Sequence, residues 1–189
     1  MDHNDAELTP QAVDAGPSRR RMITALLAGG AAVAVAPLLA SGASAATDSP
    51  TRDEADFGPL NAGLERETRM VATCLAAVNA TSNADDKAAL KLIHDHHVAY
   101  VQALTGALGT AAVVGSDAPL AEMGGGIAQI AGTLARLEQE TVDAHLSILA
   151  QLRGTSAASL VASIITVEAR HVAALGLVSG QSPAAAAAL

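Results

Sequence analysis

Two short patterns in this sequence could do chemistry. Glu168-Ala169-Arg170-His171 is an E-x-x-H, and His94-Asp95-His96-His97 sets two imidazoles, His94 and His97, at the same three-residue interval. On a helix, positions i and i+3 share one face, so each pair can close on a single cation. Glu67 and Glu138 are lone acids at the middle of otherwise apolar helical stripes, and they complete the candidate ligand set of Glu67, His94, His97, Glu138, Glu168 and His171. An ionised carboxylate in a dry core is costly unless it is paired or bound to a cation. Arg66, Arg69, Arg136 and Arg170 fall off these stripes, which leaves metal as the simplest counter-charge. The Glu/His mixture suits iron or manganese, and zinc less well.

Four helical patterns would position these residues, over about 59–79, 83–108, 127–153 and 156–180, and no window sustains the alternation of a strand. Asn83 with Asp85 and Asp86 marks the second start, Ser156 reads as the cap of the fourth helix, and Gly180 closes it. Stepping by threes and fours, the first stripe is Leu60, Leu64, Glu67, Val71, Cys74, Val78 and the second is Leu90, His94, His97, Val101, Leu104. The third is Ala131, Leu134, Glu138, Val142, His145, Leu149, Leu152, and the fourth is Val161, Ile164, Glu168, His171, Leu175, Val178. The first and third connections are short, so each joins an antiparallel pair. The middle one, 109–126, is about 18 residues and can cross the length of a helix.

Each element also has a purely structural reading. Glu67, with Glu65 beside it, equally reads as a surface acid, and His94, His96 and His97 as a solvated patch. His145 reads as a hydrogen-bonded core histidine, because seven residues from Glu138 is about 10 Å along a helix axis. Cys74 reads as a small buried hydrophobe, and Glu140 and Asp143 as solvent-facing.

Taken in order, a lone Glu, an x-x-His motif, a long crossover, a second lone Glu and an E-x-x-H resemble the ferritin-like di-iron carboxylate bundle. The closer likeness is to twin-arginine-exported bacterial ferritin-like proteins. Val167-Glu168-Ala169-Arg170-His171 looks like that family's fourth-helix motif. Leu137-Glu138 followed by His145 looks like its third helix, where the family more often has Tyr. The resemblance implies an all-α, ferritin-like four-helix bundle with a long crossover between the second and third helices. It makes Glu67 and Glu138 terminal ligands, Glu168 a bridge between two metals, His171 a cap and His97 the second histidine. His94 stands where the pattern has a bridging Glu, so three Glu leave two divalent ions one positive charge in excess, and a mononuclear site remains open.

The 189-residue chain is 50% hydrophobic and 16% charged, with a net charge of −8, which argues against nucleic acid as a partner. An aromatic share of 1% excludes base-stacking platforms, and a single cysteine excludes an intramolecular disulfide. Arg19-Arg20-Arg21, the Ala- and Gly-rich stretch over 23–40 and Ala43-Ser44-Ala45 resemble a twin-arginine signal with its cleavage site, 1–45, that engages the twin-arginine export machinery. The alternative is an uncleaved N-terminal anchor. A linker at 46–57, the bundle at 58–180 and an Ala-rich, frayed tail at 181–189 complete the expected organisation.

The expected function is binding of iron, as a di-iron or mononuclear site, or of manganese, with ferroxidase-like or peroxide-reactive chemistry towards oxygen or peroxide. The alternative is a non-catalytic exported bundle with a degenerate site. A metal-free hydrolase has no nucleophile motif to support it.

Overall fold

The computed structural model describes residues 52–181. The leader assigned to 1–45, the linker up to residue 51 and the tail beyond 181 lie outside the described residues.

A single 3-10 turn, Glu54–Asp56, leads into α1, Phe57–Ala80. Pro59 sits in the first turn of α1, where its missing N–H has no helical partner to lose. Helix α2, Ala84–Leu108, is capped by Asn83, whose side chain accepts from the backbone N–H groups of Asp85 and Asp86. The carboxylates of those two residues complement the positive end of the helix. Helix α3 spans Ile127–Leu149 and α4 spans Thr155–Ser179, closed by Gly180 in the left-handed region at φ 87°.

Two boundaries differ from expectation at the same place. Helix α3 stops at Leu149 rather than near 153, and α4 is entered through Gly154, with Ser156 inside its first turn instead of at its cap. The cause is Asp56, a buried carboxylate that accepts from the N–H groups of Arg153 at 2.8 Å and Gly154 at 2.9 Å. It draws the α3–α4 turn onto the start of α1. A Cβ at position 154 would stand 2.8 Å from Asp56 Oδ2, so a side chain there would push the carboxylate away from its donors.

Helix α1 packs along α2 and α3 along α4, with α1 also against α3 and α2 against α4. The crossover follows α1 upward in sequence order. The Asn61 amide donates to Ala111 O and accepts from Val113 N, Arg69 donates to Ala118 O, and Thr73 Oγ1 accepts from Leu120 N. Side chains of α1 thereby pair backbone groups that no helix or strand would satisfy. The crossover carries the chain from the end of α2 to the far end of α1, so α3 runs antiparallel to α1. The result is an all-α ferritin-like four-helix bundle with a long crossover between its second and third helices, and no strand among the described residues.

The apolar core divides in two. One cluster contains Met70, Cys74, Leu90, Ile93, Ile130, Leu134 and Leu175, and the other Leu60, Leu64, Tyr100, Leu104, Ile148, Val161 and Ile164. Helix α4 is long and apolar enough to cross a membrane, yet half of its most apolar window is buried inside the bundle, and it turns Glu168 and His171 inward. Between the two clusters lies a layer of ionisable side chains.

Candidate metal centre

Each helix contributes to that layer where its apolar stripe is interrupted. Helix α1 supplies Glu67, α2 supplies His96 and His97, α3 supplies Glu138 and His145, and α4 supplies Glu168 and His171. Apolar residues one turn to either side, such as Leu64 and Met70 on α1 or Ile164 and Leu175 on α4, fix these positions to the inside face. All seven are buried, and only His96 keeps any measurable exposure.

His97 joins two acids. Its Nδ1 is 2.6 Å from Glu67 Oε2 and its Nε2 is 3.0 Å from Glu138 Oε1. The same Glu138 oxygen meets His171 Nδ1 at 3.1 Å, and His171 Nε2 meets His96 Nδ1 at 2.8 Å, their rings stacked with centroids 5.1 Å apart. On the other side His145 Nδ1 lies 3.0 Å from Glu168 Oε2, and its Nε2 lies 3.5 Å from Glu67 Oε1. Gly63 opposes that imidazole edge: a Cβ there would already touch His145 Nε2 at 3.6 Å, so a longer side chain would crowd the ring.

The electrostatics follow from burial and these contacts. Burial disfavours the His97 imidazolium, but Glu138 and Glu67 outweigh it and hold the ring's pKa well above the ordinary value. Burial pushes the Glu67 carboxyl up, yet His97 overrides it and leaves it below the usual range. Glu138 is brought down to about 2, burial being overcome by His171 and His97. Glu168 goes the other way: burial, then the charges of Glu67 and Glu138, push it well above the usual range. Burial also keeps His145 neutral, and with His171 and His97 it lowers His96 to about 4. Without metal the layer therefore holds a proton on His97 and another on Glu168.

The layer has donor atoms left over. Glu138 Oε2 and His145 Nε2 are buried with no hydrogen-bond partner, and Glu67 Oε1 and Glu168 Oε1 have none beyond the proton that Glu168 shares with Glu67. Unpaired buried lone pairs are costly in isolation and are what a cation site presents. One donor atom from each of Glu67, His145 and Glu168 lies within 4.8 Å of the others, and the same holds for Cys74, His97 and Glu138. The donor set fits a divalent transition metal.

Five of the six candidates from sequence, Glu67, His97, Glu138, Glu168 and His171, meet in this layer. His94 does not. Its ring lies at the surface side of α2, with Nδ1 3.0 Å from Asp95 Oδ1. The buried stripe of α2 is Leu90, Ile93, His97, Tyr100, Leu104, because Ile93 and Tyr100 gain more from burial than His94 and Val101 would. Likewise Met70 rather than Val71 is fully buried on α1. Three residues outside the candidate set join the layer or border it: His145, His96 and Cys74. His145 and Cys74 did stand on their stripes, but distance along one helix says nothing about what an antiparallel neighbour brings to the same height.

The family model for the ferritin-like domain matches residues 43–181, and the chain belongs to that family. No curated protein and no solved structure matches it. It is thus a ferritin-like protein whose buried Glu and His groups are placed to bind metal.

Proposed function

We propose that this chain is an exported ferritin-like protein that binds iron or manganese in the Glu/His layer and serves oxidation by oxygen or peroxide. The carrying observation is the convergence of Glu67, Glu138 and Glu168 with His97, His145 and His171 between two apolar clusters, with Glu138 Oε2 and His145 Nε2 left without partners. Glu67, His145 and Glu168 would hold one ion, and Glu138 with His97 and His171 would hold or orient a second. A redox-active metal supplies the electron-transfer step when bound. The chain's own part is to keep water out with the clusters on either side, to fix the ligands, and to give up protons. Glu168 and His97 must both lose theirs before they can ligate. With three carboxylates rather than four, the layer carries less negative charge than two divalent ions need, so occupancy of one or two ions is set by what else enters. Export through the twin-arginine route, read from Arg19-Arg20-Arg21 and Ala43-Ser44-Ala45, suits a protein that folds around metal first.

One observation favours a second reading. His97 placed between Glu67 and Glu138 already neutralises much of the buried charge without metal, as expected for a non-catalytic envelope module with a degenerate site.

Elemental analysis of the full chain, isolated from cells supplied with iron and manganese, tests the two beside Glu168→Ala. Metal bound by the parent and lost in the variant supports the metal reading. A folded parent free of metal overturns it and leaves the second.

A further inference from the structure

Cys74 is the chain's single cysteine, wholly buried two turns beyond Glu67 on the same face of α1. A buried cysteine among apolar neighbours is ordinarily inert. This one has a different surrounding. Its sulfur, one nitrogen of His97 and one oxygen of Glu138 lie within 4.8 Å of one another. Independently, Glu138 Oε2 is wholly buried and without any hydrogen-bond partner, although Oε1 of the same carboxylate accepts from two histidines.

The two donor triads share no residue. His97 links them, with Nδ1 towards Glu67 of the one and Nε2 towards Glu138 of the other. Glu67, His145 and Glu168 offer only nitrogen and oxygen. The other set adds sulfur. We propose that Cys74, His97 and Glu138 form a thiolate-containing site for a borderline-soft divalent transition ion, of the zinc, cobalt(II) or iron(II) class, distinct in preference from the nitrogen/oxygen triad beside it. The inference rests on the metal-binding reading above and adds an asymmetry to it: the softer ion is drawn to the Cys74 side. Binding breaks the S–H bond heterolytically. The sulfur lone pair goes to the ion, an N–H bond of the His97 imidazolium breaks likewise to free its lone pair, and both protons leave to buffer, so nothing is oxidised or reduced.

The test is an anaerobic titration of the full-length, metal-free chain with cobalt(II), followed by absorption. A near-ultraviolet thiolate-to-cobalt charge-transfer band that saturates supports the site, because no other residue in this chain can supply a thiolate. Cys74→Ala should abolish the band and lower the cobalt bound by one equivalent, while visible ligand-field bands from the nitrogen/oxygen triad persist. Cobalt bound with ligand-field bands but no charge transfer overturns the thiolate site and leaves the metal-binding reading standing. No cobalt bound to folded protein overturns both. If Cys74→Ala fails to fold, the parent's spectrum still decides.

Discussion

His145 Nδ1 lies 3.0 Å from Glu168 Oε2, both side chains wholly buried and carried by neighbouring antiparallel helices. The other ring nitrogen faces Glu67 and has no hydrogen-bond partner. A neutral imidazole so placed orients one acid and keeps a lone pair for a cation. His145→Gln should therefore weaken metal binding at least about tenfold, the lower end of losses seen when ligand-orienting groups are removed. His94→Gln should leave it unchanged, since His94 is engaged with Asp95 on the outer side of α2. Competition against a colorimetric chelator measures both. Equal losses in the two variants would contradict this placement.

Glu168 makes opposite contributions with and without metal. Its raised pKa in the fold means the folded state binds the proton more tightly than the unfolded chain does. The associated cost is absent below the ordinary carboxyl range and grows as pH rises towards the raised value. Metal-free Glu168→Gln should melt above the metal-free parent at neutral pH and converge with it near pH 4. The rise in melting temperature that metal gives the parent should shrink in the variant, which keeps the donors of Cys74, His97 and Glu138. Paired thermal melts with and without metal check both signs.

His96 and Glu138 should each make the metal-free protein sensitive to acid, at different pH and against the opposite trend of Glu168. His96 is lowered to about 4 by burial and by His171 and His97, so the unfolded chain takes up its proton first. The His96 contribution is nil above about pH 6.5 and lowers stability as pH drops from there to 4, by on the order of 3 kcal/mol at most. Glu138, lowered to about 2, adds a further loss as pH falls below its ordinary range. His96→Gln should flatten the first loss and leave the second, as read from denaturant midpoints across pH.

Tyr100 is buried against His97, ring centroids 5.6 Å apart, and its hydroxyl has no partner. Burial, with the neighbouring carboxylates, pushes the phenol well above its ordinary pKa, so the group stays neutral. Tyr100→Phe removes an unpaired donor and keeps the ring. It should stabilise the metal-free fold by about 1 kcal/mol, measured by chemical denaturation.

Asp56 ties the start of α1 to the α3–α4 turn through Arg153 and Gly154 N–H groups. Asp56→Ala leaves both donors without their acceptor in a partly buried turn and should cost about 1–3 kcal/mol. Because the turn closes the end of the bundle away from the ionisable layer, metal stoichiometry should not change. Loss of metal in a folded Asp56→Ala protein would show that the turn also sets the height of α4.

The sequence by itself determined the number and order of the helices and that each carries a polar break in its inward stripe. Those facts rest on local physics: a 3.6-residue apolar period, the Asn83 cap, the Gly180 stop and a crossover too long for a hairpin. It also pointed to Glu67, Glu138, Glu168 and His171 as inward-facing through apolar residues three and four steps away, although the stripe itself shifted on packing, with Met70 rather than Val71 buried on α1 and Ile148 rather than Leu149 on α3. On α2 the local pattern is ambiguous, since His94, His96 and His97 span more than half a turn. Only packing chose, by burying Ile93 and Tyr100 and so turning His94 outward and His96 towards His171. The partnerships of His145 with Glu168 and of Cys74 with His97 and Glu138 were likewise decided by tertiary structure. Helices folded antiparallel bring residues distant in sequence to one height, and no spacing along a single chain segment encodes that meeting.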